Sequence, residues 1–278
     1  MREINDGARL YLELIKKCLT NSIYGEHEVL SVAPAGYVKR QIQMLFRALG
    51  ISLVRPSSYS AAMRARGLDW PPFAHTMMGT AWLDNLQQCV EDILASGVPG
   101  DLIETGVWRG GGTIFMRAIL KAYSVTTRNV WVADSFEGLP PPDVVNYPKD
   151  QGDLHYTQER LAVSQEEVMF NFQKYDLLDN QVRFLKGWFC DTLPRLEVSD
   201  FALIRLDGDM YESTMDALVS LYPKLSVGGY IIIDDWGAVA ACRQAVEDYR
   251  CRNDIVEEIV PIDGIGVYWK RQYGKAGI

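Results

Sequence analysis

Two clusters of aspartates are the residues of this sequence best suited to chemistry. The first is Asp207-Gly-Asp209, and the second is Asp234-Asp235, which begins 27 residues after Asp207. Each cluster follows an apolar run, residues 201–206 and 229–233, that is typical of a buried strand. In an open α/β sheet, ligands bind at the carboxyl ends of strands, and carboxylate oxygens suit magnesium, calcium or manganese better than zinc. The pattern therefore predicts a divalent cation site.

A purely structural explanation of these aspartates competes with the cation site. Aspartate commonly caps helices and occupies turns, which would account for one of the two clusters. Both clusters together are harder to explain in this way, because several buried like charges repel one another unless a counter-charge neutralises them. The cation site is therefore the preferred hypothesis.

The elements that must position these aspartates alternate along the chain from residue 101 onward. Strands are predicted at 101–105, 129–133, 182–185, 201–206, 229–233 and 255–260, with a closing strand at 266–269. Helices are predicted at 113–123, 164–175, 213–225 and 240–251. Such alternation predicts an α/β fold with a doubly wound, mostly parallel, seven-stranded sheet whose last two strands form an antiparallel hairpin. We assign residues 98–278 to this core domain.

The preceding residues, 1–97, are predicted to form a helical and lid region. Apolar periodicity predicts packing helices at 10–19 and 41–49, and a further helix at 78–95 that ends at Gly97. Proline-containing segments at 33–36, 55–59 and 70–73 lie between them. Trp70 and Phe73 are large aromatic residues of the kind that a water-excluding lid carries, although ordinary surface loops explain these segments equally well.

Composition narrows the class of protein. The chain has 278 residues, 48% hydrophobic side chains and a net charge of −8, which argues against a nucleic-acid or anionic-membrane surface. The cysteines number five and include no Cys-x-x-Cys pair, as expected for reduced thiols in the cytoplasm. No apolar run approaches the length of a membrane span. A cytoplasmic protein acting on small molecules is therefore expected.

The turn after the first core strand indicates the kind of cofactor. It reads Glu104-Thr-Gly-Val-Trp-Arg-Gly-Gly-Gly-Thr113, which lacks the Lys-Ser/Thr pair of a P-loop and has Trp108 where the dinucleotide motif requires glycine. Asp134 follows the next strand, 28 residues after Gly106, at the position of a ribose-binding carboxylate in nucleoside-binding α/β sheets. A nucleoside without phosphates fits this pattern best.

Four stretches of the sequence together resemble the macrocin O-methyltransferase family. They are residues 101–111, 134–139, 206–214 and 222–235, and the resemblance extends over roughly residues 65 to 270. That family includes sugar O-methyltransferases of macrolide and aminocoumarin antibiotic pathways and uses S-adenosylmethionine and magnesium. The resemblance implies the class I methyltransferase fold and a homodimer. Trp82 departs from the pattern, because a basic residue is expected there in relatives.

The resemblance also implies roles for particular residues. It places Asp207, Asp234 and Asp235 as magnesium ligands and Asp209 as the general base. It implies that S-adenosylmethionine is bound by Met77, Glu104, Thr105, Gly106, Val107, Trp108, Asp134, Ser135, Gly187 and Trp188. Within this set, Asp134 would hold the ribose hydroxyls, and Ser135, Gly187 and Trp188 would border the adenine.

Three functions remain open from the sequence. The preferred one is methylation of a deoxysugar hydroxyl on a glycosylated natural product in antibiotic biosynthesis. A catechol-like aromatic diol is an alternative acceptor, because it would use the same cofactor and a similar metal site. A non-catalytic nucleoside-binding protein is disfavoured, since it would have no use for four clustered carboxylates. His155 lies in the long loop of residues 140–157, where it either faces the acceptor or is exposed to solvent.

Overall fold

The computed structural model describes residues 6–32 and 36–273, with the side chain of Val38 excepted. Its first part contains four helices and a small two-stranded antiparallel sheet. In chain order these elements are α1 (Asp6–Leu19), β1 (Val29–Ser31), α2 (Tyr37–Ala48), β2 (Val54–Pro56), α3 (Ala61–Ala65) and α4 (Thr80–Ser96).

The second part alternates strands and helices as predicted. It consists of β3 (Asp101–Thr105), α5 (Gly111–Ala122), β4 (Val130–Asp134), α6 (Gln165–Lys174), β5 (Val182–Lys186), α7 (Phe189–Thr192), β6 (Phe201–Leu206), α8 (Tyr211–Leu221), β7 (Leu225–Ile233), α9 (Ala240–Arg252), β8 (Val260–Pro261) and β9 (Val267–Lys270).

The seven core strands form one sheet with the order β5-β4-β3-β6-β7-β9-β8. The first five strands in this order are parallel, and β9 is antiparallel to both β7 and β8. The predicted doubly wound, mostly parallel sheet with a closing hairpin is therefore confirmed. The direction of winding reverses between β3 and β6, so a crevice opens at the carboxyl ends of these two strands.

One predicted strand is wrong. Residues 255–259 do not pair with the sheet, and β8 contains only Val260 and Pro261 at its edge. Ile255 and Ile259 instead pack their side chains against the core cluster on the α8 and α9 face of the sheet. Apolar side chains can be partly buried in this way without backbone pairing, and the sequence pattern does not separate the two cases.

Two of the N-terminal helices, α1 and α4, cover the opposite face of the sheet. Leu12 and Leu19 of α1 and Leu86 of α4 belong to the same buried cluster as Phe115 of α5 and Leu102 of β3. The sheet therefore lies between two helical layers. The boundary near residue 97 stays a prediction.

The structure places the three segments predicted as a lid in different ways. Residues 33–35 lie outside the described residues, and Arg55 and Pro56 belong to β2. Trp70 and Phe73 are both partly exposed, in the irregular segment that precedes α4. Opening and closing of this segment stays a prediction.

Two observations concern the predicted environment of the protein. None of the helices in the described part of the chain is long and apolar enough to cross a membrane. All five cysteines are free. A cytoplasmic location stays a prediction.

Candidate active site

The carboxyl ends of β6 and β7 bring the two aspartate clusters together. Asp207 and Asp234 each follow the last residue of their strand, and carboxylate oxygens of Asp207, Asp234 and Asp235 lie within 4.8 Å of one another. The backbone N–H of Asp207 donates to Thr105 O (2.9 Å), and that of Asp234 donates to Leu206 O (2.9 Å). Backbone pairing thus continues one residue past each strand and holds the aspartates in register.

The turn after β3 passes directly beside the first cluster. Gly106 has a φ of +78°, and a Cβ atom at this position would lie 1.7 Å from the backbone oxygen of Asp207. Only glycine fits such a close approach in the left-handed region. The predicted nucleoside turn and the aspartate cluster therefore form one continuous site.

Burial raises the pKa of every aspartate in this cluster. The pKa values of Asp234 and Asp235 are raised well above the ordinary range, first by burial and then by neighbouring carboxylates, while Arg205 partly opposes the rise at Asp234. Burial also raises the pKa of Asp207, although Arg205 acts against it. Ionising the whole cluster without a further counter-charge is therefore unfavourable.

This donor set fits a hard divalent cation. All three groups are carboxylates, and the side chains of Asp207 and Asp234 keep 29% and 23% of their surface exposed. Oxygen ligands at a partly open site suit magnesium, manganese or calcium. The assignment of these residues as metal ligands stays a prediction.

Asp209 occupies a separate position beside the cluster. Its φ is +55°, and its backbone N–H donates to Asp235 Oδ2 (3.1 Å). Burial, followed by the charge of Asp207, raises the pKa of Asp209 to about 7, while His155 acts in the opposite direction. A carboxylate with this proton affinity is suited to accept a proton near neutral pH.

Arg205 is a residue of the site that the sequence analysis missed. Its side chain is 3% exposed, and its guanidinium contacts carboxylates of Glu104, Asp207 and Asp234. Burial by itself lowers the pKa of Arg205, but these carboxylates outweigh burial and raise the pKa. An arginine inside the otherwise apolar run 201–206 was the available signal, since a buried arginine requires anionic partners.

Two cavities open along this edge of the sheet and share a border. Both are lined by Met77, Gly106, Trp108, Leu161, Asp207 and Asp209. The first also reaches Asp134, Ser135, Gly187 and Trp188, and the second also reaches Glu104, Val107, Asp234 and Asp235. The structure thus places Asp134, Ser135, Gly187 and Trp188 around the first cavity, whereas Glu104 and Val107 line the second cavity with Asp234 and Asp235. Asp207 lines both.

Asp134 connects the end of β4 to the glycine turn. Its Oδ2 accepts the Val107 N–H (2.8 Å), and its Oδ1 accepts the Phe136 N–H (2.7 Å). Burial raises the pKa of Asp134, whereas these backbone hydrogen bonds act against the rise. Each carboxylate oxygen can still accept a further hydrogen bond from a ligand.

Two predicted cofactor residues are more deeply placed than the others. Thr105 is fully buried and lines neither cavity. Glu104 is 2% exposed and lies beneath the start of α5, where a Cβ atom on Gly112 would be 2.2 Å from Glu104 Oε1. Burial raises the pKa of Glu104 to about 7, with the charge of Arg205 acting against it.

His155 lines the second cavity together with the aspartates. Its Nδ1 lies 2.6 Å from Asp153 Oδ2. Burial alone lowers the pKa of His155, but the hydrogen bond with Asp153 and the charge of Asp209 outweigh it, so the pKa is raised. The sequence left open whether His155 faces the acceptor or solvent, and the structure places it at the site.

Two tryptophans of the N-terminal region also line the second cavity. Trp70 stacks against the guanidinium of Arg160, whose Cζ lies 3.3 Å from the ring centroid. Trp82 is 6% exposed, and its Nε1 donates to Asp263 Oδ2 (2.7 Å). Both aromatic residues therefore border the cavity that the aspartates line.

The strand order, the glycine turn and the acidic residue after β4 define a class I S-adenosylmethionine-dependent methyltransferase. The Macrocin-O-methyltransferase (TylF) family profile matches residues 8–271. This chain belongs to that family, and it is an O-methyltransferase that uses S-adenosylmethionine.

Individual relatives agree with this assignment over nearly the whole chain. The demethyldecarbamoylnovobiocin O-methyltransferase of Streptomyces niveus is 48% identical over 97% of this chain and 96% of its own length. The 8-demethyl-8-(2,3-dimethoxy-alpha-L-rhamnosyl)-tetracenomycin-C 4'-O-methyltransferase of Streptomyces olivaceus is 50% identical over 98% of this chain and 96% of its own length. The solved structure of the O-methyltransferase NovP is 47% identical, with a TM-score of 0.83, and the match covers 96% of this chain and 100% of that chain.

Proposed function

We propose that this enzyme transfers a methyl group from S-adenosylmethionine to a deoxysugar hydroxyl on a glycosylated natural product in antibiotic biosynthesis, with the help of magnesium. The observation that carries the proposal is the pair of adjoining cavities that share Gly106, Asp207 and Asp209. A donor in the first cavity and an acceptor in the second would meet beside the aspartates. The names of the similar enzymes from Streptomyces niveus and Streptomyces olivaceus support an acceptor of this class.

The first cavity is the proposed site of S-adenosylmethionine. In this proposal Asp134 holds the ribose hydroxyls, and the methionine part lies along the glycine turn. The adenine is bordered by Ser135, Gly187 and Trp188, and Met77 touches the cofactor from the side of the proposed lid. The methionine part is surrounded by Glu104, Thr105, Gly106, Val107 and Trp108, and it extends toward the second cavity, which Glu104 and Val107 line. The full burial of Thr105 confines its role to shaping the turn through its backbone.

Asp207, Asp234 and Asp235 are the proposed magnesium ligands. A bound magnesium ion would supply positive charge beside the acceptor hydroxyl, which favours loss of its proton. Asp209, which lies next to these ligands, is the proposed general base.

The acceptor itself is proposed to present two neighbouring hydroxyls. Two adjacent oxygens of a sugar can bind one cation together, which fixes the hydroxyl that faces the methyl group. A planar catechol offers the same pair of oxygens and stays the alternative. Trp70 and Trp82 enclose the cavity in which the two acceptor shapes would be distinguished.

A direct test is methyl transfer to glycosylated natural products and to catechols, followed by mass spectrometry. We expect methylation of a glycoside, loss of activity with a strong chelator, and recovery when magnesium is added back. Full activity with the chelator would reject the metal mechanism, and equal turnover of a glycoside that lacks the neighbouring hydroxyl would reject two-oxygen binding. Methylation of catechols alone would favour the alternative acceptor.

Binding of the donor tests the first cavity separately from the metal. S-adenosylmethionine should stabilise the protein without magnesium, by about 2.7 kcal/mol at a hundredfold excess over its Kd. Asp134→Ala should weaken donor binding by about 1–3 kcal/mol through lost hydrogen bonds. The control is Asp200→Ala. Asp200 is exposed and lies just before β6, at the end of that strand away from the candidate site. Equal donor affinity in both variants would remove Asp134 from the proposed site.

We also propose that the protein assembles as a homodimer through α2. Ile42, Leu45 and Leu49 lie on one side of this segment and are 45%, 63% and 66% exposed. An apolar face of this kind on a helix is commonly covered by a partner, and a second copy is the simplest one. Light scattering should give a dimeric mass that falls to a monomeric mass in Leu45→Glu and not in Arg40→Glu. A monomeric wild type at micromolar concentration would contradict the proposal.

A further inference from the structure

Arg205 connects three neighbouring strands at the candidate active site. Its Nη1 donates to Glu104 Oε1 at the end of β3 (2.6 Å) and to Asp207 Oδ2 after β6 (3.0 Å). Its Nη2 donates to Asp234 Oδ1 after β7. One buried guanidinium therefore contacts a proposed cofactor residue and two of the proposed metal ligands.

We propose that Arg205 is a positioning residue that orients Asp207 and Asp234 for a divalent cation and anchors them to Glu104. This inference rests on the proposed metal function. Arg205 engages one oxygen of each aspartate, and within residues 6–32 and 36–273 no hydrogen bond reaches Asp207 Oδ1 or Asp234 Oδ2. The second oxygen of each carboxylate is thus left available for a cation. Partners that fix the orientation of ligating carboxylates strengthen metal binding.

The anchor on the other side of Arg205 is rigid. Glu104 lies under the first turn of α5, where the space that a Cβ atom on Gly112 would need is taken by the Glu104 carboxylate. Because Glu104 is 2% exposed and closely surrounded, it has little freedom to follow a moving partner. The guanidinium is therefore fixed by its own strand, β6, and by Glu104 of β3, and it contacts the aspartates that follow β6 and β7.

The planar shape of arginine is essential to this arrangement. Its two terminal nitrogens reach three carboxylates at once, while Nε is buried without a hydrogen-bond partner. The ring of Trp82 lies 5.8 Å from Cζ of Arg205 and restricts it further, since Trp82 is itself held by Asp263. Lysine would keep the positive charge but has a single nitrogen and no fixed fork. A role in orientation and a role in charge alone can therefore be separated.

The test is the affinity of the purified, cofactor-free protein for magnesium, measured by isothermal titration calorimetry. We expect Arg205→Lys to weaken magnesium binding by about 10- to 100-fold, the usual effect of removing a group that orients a metal ligand. The matched control is Arg183→Lys, at an exposed position on β5 of the same sheet, which should bind magnesium like the wild type. Unchanged magnesium affinity in Arg205→Lys would show that charge alone is sufficient and would overturn the inference.

A second variant protects the test against a folding defect. Glu104→Gln keeps the shape of the anchor and removes its charge, so magnesium should bind more weakly than in the wild type. The double variant with Arg205→Lys should bind no more weakly than Arg205→Lys alone, because both changes break the same connection. If the losses of magnesium affinity in the two single variants multiplied in the double variant, Arg205 and Glu104 would act independently, and the inference would be overturned. Absence of magnesium binding in the wild type would overturn the proposed metal function as well, which distinguishes the two failures.

Discussion

Two buried arginines hold carboxylates in different parts of this molecule. Arg64 in the N-terminal region contacts Glu28 (2.9 Å) and Asp69 (2.7 Å), and it also donates to the backbone oxygen of Thr20 (2.7 Å). Arg205 at the strand ends contacts Glu104, Asp207 and Asp234, with Asp235 and Asp209 close by. The two arginine side chains are equally buried, each 3% exposed.

The two sites differ in how far their charges are neutralised. Arg64 meets two carboxylates, and Glu28 accepts further hydrogen bonds from Asn21 and Ser57. Five carboxylates surround or adjoin the single arginine of the second site, and burial raises the pKa of every one of them. Burial of charge is thus common to both sites, and a larger excess of carboxylates over arginine distinguishes the candidate active site. Titratable groups of this kind cluster at functional sites.

The largest effect is expected from breaking the Arg64 site. Arg64→Met should lower the free energy of unfolding by about 3–5 kcal/mol, because Glu28 and Asp69 lose their buried counter-charge. Chemical denaturation would measure the change. Arg9→Met, which removes an exposed ion pair with Asp6, should cost at most about 1 kcal/mol. Similar values for the two variants would mean that the Arg64 site is not structural.

At the aspartate cluster around Arg205, the main effect of a substitution should fall on turnover. Asp209→Asn should lower kcat by about a hundredfold or more, equivalent to about 2.7 kcal/mol, because it removes the proposed general base. Added magnesium should not restore the rate.

The comparison variant is Asp207→Asn, whose lost activity should return in part with excess magnesium, because it weakens a proposed ligand. Steady-state kinetics over a range of magnesium concentrations would separate the two roles. Rescue of Asp209→Asn by magnesium would contradict its assignment as base.

A smaller effect is expected at His75, a partly buried group whose ring nitrogen contacts a tyrosine hydroxyl. Its Nδ1 lies 2.7 Å from the hydroxyl oxygen of Tyr175, and burial, followed by the charges of Lys174 and Arg109, lowers its pKa to about 4. Since the unfolded chain binds the proton more tightly, His75 stabilises the fold fully above about pH 6.5, and this contribution is lost as the pH falls toward 4. We expect the loss to be about 1–2 kcal/mol.

Denaturation at pH 7 and pH 5 would measure the contribution of His75. His75→Gln should reduce the difference in stability between the two pH values, whereas His27→Gln at an exposed position should leave it unchanged. An unchanged difference in His75→Gln would mean that other groups cause the pH dependence. The excess charge of the aspartate site would then be the first alternative cause.

Much of the fold could be predicted because its signals are local. Apolar runs, intervening helical periodicity and glycine turns predicted every parallel strand and the closing hairpin. They failed at residues 255–259, where apolar side chains pack against the core without pairing their backbone. A burial pattern reports which side chains are covered and does not report which backbone groups pair.

The candidate site was predictable to the extent that sheet geometry determines it. Parallel strands end at one edge, so Asp207 and Asp234 had to lie near each other once their strands were adjacent. Asp134 and Gly106 were predicted from spacing in the same way. Their roles in binding S-adenosylmethionine and magnesium stay predictions.

The sequence by itself determined the alternating elements, the acidic strand ends and the family to which the chain belongs. Only the tertiary structure decided that Arg205 meets Glu104, a residue 101 positions away, and that His155 of a long loop reaches the cavity of the aspartates. Contacts of this kind depend on which strands become neighbours and where loops return, and no periodic pattern in the chain records them. The excess of negative charge became visible only when these distant residues were brought together.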